Sequence, residues 1–337
     1  MKTFAKTLAL CAAGAAVATF STAGDARADV ASFYKGKTIK VVVRSSPGGG
    51  YDFYGRLIAR HMPRHIPGNP EAIVVNMPGA GGVVATNYMM NRAKRDGTEI
   101  AIIHREYAIS QRLKAKGVKY DVRKLTPIGS TASSSMVYAL KKDHPVDTLA
   151  ELKAYKDGPV KFSATGRGGG NFQRVMLLKL SGYPVRSIMG YQGTQERVLA
   201  ITRGDVHGTG GSYESLIGPA KEAGLKFFAY LGNAHPDLKG VPDVRTGLTP
   251  DGRKLAALMA APMAAGRPFV TAPGVPQERV AALRAGFKAA LSDPKLLAEA
   301  KKADRSISWT DPKTMEEINN DIINASDEVI AQFKQLM

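Results

Sequence analysis

Ile39-Lys40-Val41-Val42-Val43 runs straight into Arg44-Ser45-Ser46 and then Pro47-Gly48-Gly49-Gly50-Tyr51-Asp52. The β-branched apolar run reads as a buried strand. The Pro-Gly run reads as a loop. Asp52, a favoured helix-start type, opens a helix in which Tyr54, Leu57, Ile58 and Met62 recur at helical spacing. Pro63 and Pro67-Gly68 end it. The unit then recurs: a strand at Ile73-Val74-Val75-Asn76, a loop at Pro78-Gly79-Ala80-Gly81-Gly82, and a helix from Val83 to Arg92. Asp96-Gly97 turns the chain into a third strand, Glu99 to Ile103. Strands alternating with helices predict an α/β fold with a mainly parallel sheet.

Thr126-Pro127-Ile128-Gly129 marks a change, and Ser133 to Leu140 reads as an extended connection into a second lobe. The unit returns there. Val160, Phe162 and Ala164 alternate along a strand, Gly166-Arg167-Gly168-Gly169-Gly170 forms the loop, and Phe172, Val175, Met176 and Leu180 mark the helix. A small-residue run follows at Thr209-Gly210-Gly211-Ser212. Further strands are expected at Lys226–Leu231 and around Phe269-Val270, with a crossing loop between them over 233–250. One helix is expected to stop at Asp293-Pro294. A last helix is expected from Thr314 onward, with Ile318, Ile322 and Ile330 on its apolar side.

The amino terminus predicts export. Lys2 and Lys6 precede an apolar stretch, Leu8 to Phe20, too short to span a bilayer, which needs about 20 apolar residues. Ala26-Arg27-Ala28 supplies a cleavage site, so residues 1–28 read as a signal peptide and the chain as periplasmic. Cys11, the only cysteine, lies within that segment, and thiolate and disulfide chemistry are thereby excluded from the rest. The chain carries a net charge of +18, and residues 29–337 carry +16. Such a field favours anionic partners. Nucleic acid is a poor candidate, because the basic residues show no clustering around aromatic pairs.

Three glycine loops, each between a strand and a helix, point to an anion site. A helix start exposes N–H groups without internal partners, and the peptide dipoles add about half a positive charge there. Glycine lets the backbone approach a ligand closely. Tight strand–helix turns are the bland alternative for any one loop. The spacing fits neither a dinucleotide fingerprint nor a P-loop.

Pro47-Gly48-Gly49-Gly50-Tyr51-Asp52, Asn76-Met77-Pro78-Gly79-Ala80-Gly81-Gly82, Asp96-Gly97-Thr98 and Gly190-Tyr191-Gln192-Gly193-Thr194 together resemble the substrate-binding proteins of tripartite tricarboxylate transporters, the TctC or Bug family. Pro273-Gly274-Val275-Pro276 through Asp293-Pro294 resembles that family's carboxy-terminal motif. The resemblance implies a two-lobed periplasmic binding protein of Venus-flytrap, type II-like architecture. Its mixed sheets would be mainly parallel, with a cleft between lobes. Lobe 1 would comprise residues 29–130 plus 243–337, and lobe 2 residues 131–242. The implied function is capture of a small carboxylate (a di- or tricarboxylate, an acidic amino acid or an aromatic acid) for the transporter's membrane subunits. The protein would act as a monomer with no cofactor. An alternative is a periplasmic sensor presenting the carboxylate to a two-component receptor. The sequence departs from the family at Arg44-Ser45, at Arg105 and at Gly169-Gly170-Asn171-Phe172.

The expected ligand-binding set follows the loops and what lies beside them: Arg44, Gly49, Gly50, Tyr51 and Asp52; Gly79, Ala80, Gly81 and Gly82; Arg105; Thr165, Gly166, Arg167, Gly168, Gly170 and Asn171; Tyr191; Gly211 and Ser212. Asp52 suits an N-cap better than an anion contact. Arg44, Arg105 and Arg167 could each fork onto a carboxylate or sit in surface ion pairs, and Arg167 has the better local case. Tyr191 could stack on a ligand or pack. His61 and His65 are four apart, but Pro63 between them argues against a metal site. No G-x-S-x-G or catalytic histidine motif appears, so the reading is binding without chemistry.

Overall fold

The computed structural model describes residues 29–132, 135–167, 169–232 and 235–334. Residues 1–28, expected from the sequence to be a signal peptide, and Gly168 lie outside them. In chain order, the first half runs β1 (Thr38–Val43), α1 (Gly50–His61), β2 (Glu71–Asn76), α2 (Val83–Asn91), β3 (Glu99–Ile102), α3 (Tyr107–Arg112) and β4 (Thr126–Ser130). The middle runs β5 (Met136–Lys141), α4 (Leu149–Ala154), β6 (Val160–Ala164), α5 (Gly170–Leu180), β7 (Val185–Met189), α6 (Thr194–Thr202), β8 (Gly208–Ser212), α7 (Tyr213–Glu222) and β9 (Leu225–Leu231). The chain closes with α8 (Pro250–Ala265), β10 (Pro268–Thr271), α9 (Gln277–Leu291), α10 (Pro294–Lys302), α11 (Pro312–Ile323) and α12 (Asp327–Lys334).

Two five-stranded sheets result, ordered β2-β1-β3-β10-β4 and β7-β6-β8-β5-β9. The arrangement is the two-lobed α/β one. Each sheet begins with three parallel strands and continues through one antiparallel strand, β10 in the first and β5 in the second. Each of those two strands is the first after a crossing between the sheets. Strand β5 enters the second sheet directly from the first, and β10 returns to the first only after the second is complete. The connections at 130–136 and 231–268 therefore tie the sheets together twice.

The apolar runs work as their periodicity requires. Val41 and Val43 enter one core cluster while Val42 enters another, so β1 is covered on both faces. Burying each such side chain stabilises the fold by roughly 1.5–3 kcal/mol. The small-residue run at 209–212 is itself a wholly buried strand, β8, paired with β5 and β6. Its scarcity of side chains is what lets helices pack close on it. Helix α1 starts two residues earlier than Asp52 suggested, with Gly49 as N-cap. The terminal helix is broken after Ile323, so Ile318 and Ile322 lie on α11 and Ile330 on α12.

Trp309 anchors the far side of the first sheet. Its ring lies 5.8 Å from Phe287, which in turn packs 4.9 Å from Phe269 on β10. Gly129 makes room for it: φ there is 151°, and an added Cβ would stand 2.2 Å from the Trp309 ring. Gly129→Ala therefore combines a strained backbone with a clash, and we expect it to lower stability by about 2–4 kcal/mol. Urea denaturation followed by the fluorescence of Trp309, the only tryptophan, would measure it. A change below about 0.5 kcal/mol would show that the ring moves aside freely.

Candidate functional site

Four helix starts converge on one cavity, and none has a side-chain cap. Gly49 precedes α1, Gly169 precedes α5, Gly193 precedes α6 and Ser212 precedes α7. Four other helices are capped in the ordinary way, with Thr148, Thr249, Asp293 and Asp311 accepting from first-turn N–H groups, whereas α2, α3 and α9 also start without a side-chain cap. Gly49, Gly50, Gly169, Gly170, Gly193, Thr194, Ser212 and Ser215 all line the cavity. The backbones come very close. A Cβ on Gly50 would stand 2.5 Å from the Ser215 hydroxyl, and one on Gly193 would stand 2.0 Å from that of Ser46.

Into the same space project Arg44, Arg105, Arg174 and Arg197, with Arg267 directly behind. Arg105 and Arg174 are each 2% exposed, Arg197 4% and Arg267 not at all. The carboxylates among them are Glu106 and Glu214. Glu106 pairs with Arg174 at 2.5 Å, and Glu214 lies 3.6 Å from Arg267. Five guanidinium groups against two carboxylates leave an excess of three positive charges. Each arginine also keeps a buried N–H without a partner: Arg44 Nε, Arg105 Nη1, Arg174 Nε, Arg197 Nε, and both Nε and Nη1 of Arg267. Buried donors of this kind are rare, because each forfeits its hydration without a return.

Protein dipoles and one ring hold these cations in place. The Tyr51 ring carries the Arg267 guanidinium at 4.4 Å and that of Arg44 at 4.8 Å, as cation–π contacts. Its hydroxyl accepts from the Arg105 backbone N–H at 3.3 Å. Burial pushes the Tyr51 hydroxyl up, but Arg105, Arg267 and Arg44 together hold it below the usual phenol value. Arg197 donates to Thr209 Oγ1, to the Gly210 carbonyl at 2.7 Å and to Thr194 Oγ1 at 3.2 Å. Burial, then the like charges of Arg44 and Arg174, hold its guanidinium down to about 9. An arginine keeps its proton in practice, so Arg197 stays charged within the cleft. Arg267 Nη2 donates to the hydroxyls of Ser212 at 2.6 Å and Ser215 at 2.9 Å, stitching the β10 entry to the start of α7. The Glu106 carboxyl is pushed up by burial, but Arg174 and Arg105 outweigh that and hold it at about 2.

Of the residues expected from sequence, Arg44, Gly49, Gly50, Tyr51, Arg105, Thr165, Gly170, Asn171, Gly211 and Ser212 line the cavity. Asp52 sits behind loop 1: it accepts from the Gly48 N–H at 3.0 Å, Arg56 Nε at 2.9 Å and Asn76 Nδ2 at 2.8 Å, bracing the loop rather than facing the space. Gly79, Ala80, Gly81 and Gly82 form the wall outside it. A Cβ on Gly82 would stand 2.6 Å from Arg44 Nε, and one on Gly166 would stand 3.4 Å from the Ala80 carbonyl carbon, so the second and third loops touch. Arg167 is exposed at the outer turn of its loop and is absent from the lining. Tyr191 packs against the small apolar cluster of Ala200, Ile201 and Val206. His61, the last residue of α1, binds Glu299 of α10 at 2.8 Å, and His65, in the turn after α1, binds the α10 N-cap Asp293 at 2.9 Å. Among the described residues no group of three His, Cys, Asp or Glu side chains is placed to hold a metal, and no helix is long and apolar enough to cross a membrane.

Sequence reasoning missed Glu106, Arg174, Arg197 and Ser215. No local signal marked the two arginines: Arg174 follows Asn171, Phe172 and Gln173 in α5, and Arg197 follows Gln195 and Glu196 in α6, as basic residues on a solvated helix face would.

A solute-binding architecture is what this arrangement defines: two sheets joined twice, and an arginine-lined cleft at their helix starts. Residues 56–334 match the model of the tripartite tricarboxylate transporter family receptor, TctC, and the chain belongs to that family, whose members are binding proteins and not enzymes. Protein BugT of Bordetella pertussis is 24% identical over 217 residues, 63% of this chain and 65% of its own. The chain thus spans less than two thirds of that relative. The periplasmic binding protein BugD superposes with a TM-score of 0.74 at 21% identity, over 90% of this chain and 98% of its own. An R. palustris protein solved with adipate gives 0.71 at 20%, over 88% and 97%. MatC from Rhodopseudomonas palustris with bound malate gives 0.70 at 19%, over 87% and 99%. These likenesses establish the shared fold.

Because Arg44 is stacked but uncompensated, Arg44→Met should leave the ligand-free protein as stable or more stable by up to about 2 kcal/mol. Denaturant unfolding of the two proteins in anion-poor buffer checks this. A loss above about 1 kcal/mol would show that the charge is already satisfied.

Proposed function

We propose that the protein is a periplasmic receptor that encloses a compact aliphatic di- or tricarboxylate in this cleft and delivers it to the membrane subunits of a tripartite transporter. The observation that carries the reading is the excess of three buried positive charges, each with an unused N–H, at the meeting of four uncapped helix starts. A neutral sugar would leave those charges unanswered. An aromatic acid would find little apolar wall, since Met136 and the Tyr51 ring supply nearly all of it. Cleft-lining Arg44, Arg105 and Arg197 are the ligand's principal partners, with the starts of α1 and α6 adding main-chain donors. Membership of the TctC family, and a neighbour described as periplasmic, support the compartment and the transport role. The lobes are taken as residues 29–130 with 243–337, and 131–242. The two strand crossings support this division, and hinge opening between the lobes would admit the ligand.

Isothermal titration with succinate, citrate, glutamate, benzoate and glucose tests the class. Succinate or citrate should bind at micromolar concentration, and tighter binding of benzoate or glucose would overturn the proposal. Arg105→Ala should weaken the binding about 10–100-fold, the value of one or two charged hydrogen bonds. Arg167→Glu should change it less than about threefold, because charge at an exposed position is screened.

A further inference from the structure

Glu106 is the one acid that reaches into the cleft from the first sheet's side and ends on the second. It is the N-cap residue of α3, a few residues past the end of β3. Its carboxylate meets Arg174, on α5 in the other half, at 2.5 Å. It also lies against the start of α5. An added Cβ on Gly170 would fall 2.1 Å from Glu106 Oε1, so only glycine lets the helix start come this near the acid. The N-cap of α5, Gly169, contributes no side-chain acceptor of its own. Glu106 thus stands where the carboxylate of a guest would stand: at a helix start with a guanidinium beside it, 5% exposed, and ionised throughout the physiological range. Arg174 still keeps its Nε unpartnered, though it is 2% exposed.

We propose that Glu106 is a resident carboxylate that occupies one anion seat of the cleft and so limits the number of acidic groups a ligand can place there. The inference rests on the carboxylate reading of the site. With Glu106 on Arg174 and the α5 start, the open seats are those of Arg44, Arg105 and Arg197. A ligand with two carboxylates fills them without meeting Glu106. A third carboxylate directed at α5 meets a fixed negative charge instead. Neutralising that charge turns the seat over to the ligand, so Glu106 acts as a specificity-determining residue.

The test compares the full chain and Glu106→Gln, which keeps the shape and removes the charge. Succinate and tricarballylate, alike except for the third carboxylate arm, are titrated calorimetrically against both. The ratio of tricarballylate to succinate affinity should rise at least tenfold in Glu106→Gln. A ratio unchanged within threefold would overturn the proposal. In parallel, the unfolding midpoint of each protein is followed against sulfate, with chloride of equal ionic strength as control. Sulfate should stabilise Glu106→Gln more than the unaltered chain, because the vacated seat takes the ion. Equal stabilisation would count against a seat at Glu106 whatever the natural ligand is. Should neither acid bind the unaltered chain, the carboxylate reading fails, and the sulfate comparison still decides the seat. If Glu106→Gln folds poorly, Glu106→Asp replaces it: the shortened acid withdraws from Arg174, and a smaller shift of the ratio in the same direction is expected.

Discussion

Buried positive charge without internal compensation is the constraint around which this molecule is arranged. Guanidinium groups lose hydration when enclosed, and their mutual repulsion rises as the surroundings lose water. In the proposed function an acidic ligand from outside the chain relieves that cost. Here the cations are not merely adjacent. Tyr51 clamps Arg44 and Arg267, Thr209 and Gly210 hold Arg197, and Glu106 holds Arg174. Each guanidinium is oriented before a ligand arrives, so little side-chain freedom remains to be lost on binding.

The sheet topology explains how such a cluster forms from distant sequence. Parallel strands deliver their following loops and helix starts to the same edge of each sheet. Strands β5 and β10 are each the first strand after a crossing from the other sheet. Met136 opens β5 and lines the cleft, while Arg267 immediately precedes β10 and bonds to Ser212 and Ser215 at the end of the other sheet. The elements that join the lobes are thus also elements of the site. Any change in the angle between the lobes moves Arg267 relative to the start of α7 and alters the cage.

Much of this was legible in the sequence. The Val41-Val42-Val43 run, the glycine loops and the strand–helix alternation gave the α/β class; Arg44 and Tyr51 were visible because they flank the first loop, and Arg105 because it follows the third strand. Asp52 looked like a cap and proved to be a brace, since its side chain reaches back to Gly48. Arg167 drew notice by lying within a loop, yet a loop's outer turn faces water. Arg174 and Arg197 were hidden because a basic residue on a helix ordinarily marks a solvated face. Only the tertiary arrangement turns that face inward. Glu106 was hidden for a related reason: its partner lies 68 residues away in the chain, and no local pattern foretells such a contact.

The charge argument can be separated from size and shape by one calorimetric comparison at fixed ionic strength: succinate against succinamate, its monoamide, which has the same heavy-atom count and one fewer negative charge. If uncompensated guanidinium groups drive capture, succinamate binds at least 100-fold more weakly than succinate, and raising the salt concentration weakens succinate the more. Equal affinities for the two would contradict the account, because the cleft would then be reading shape and hydrogen bonds without regard to charge.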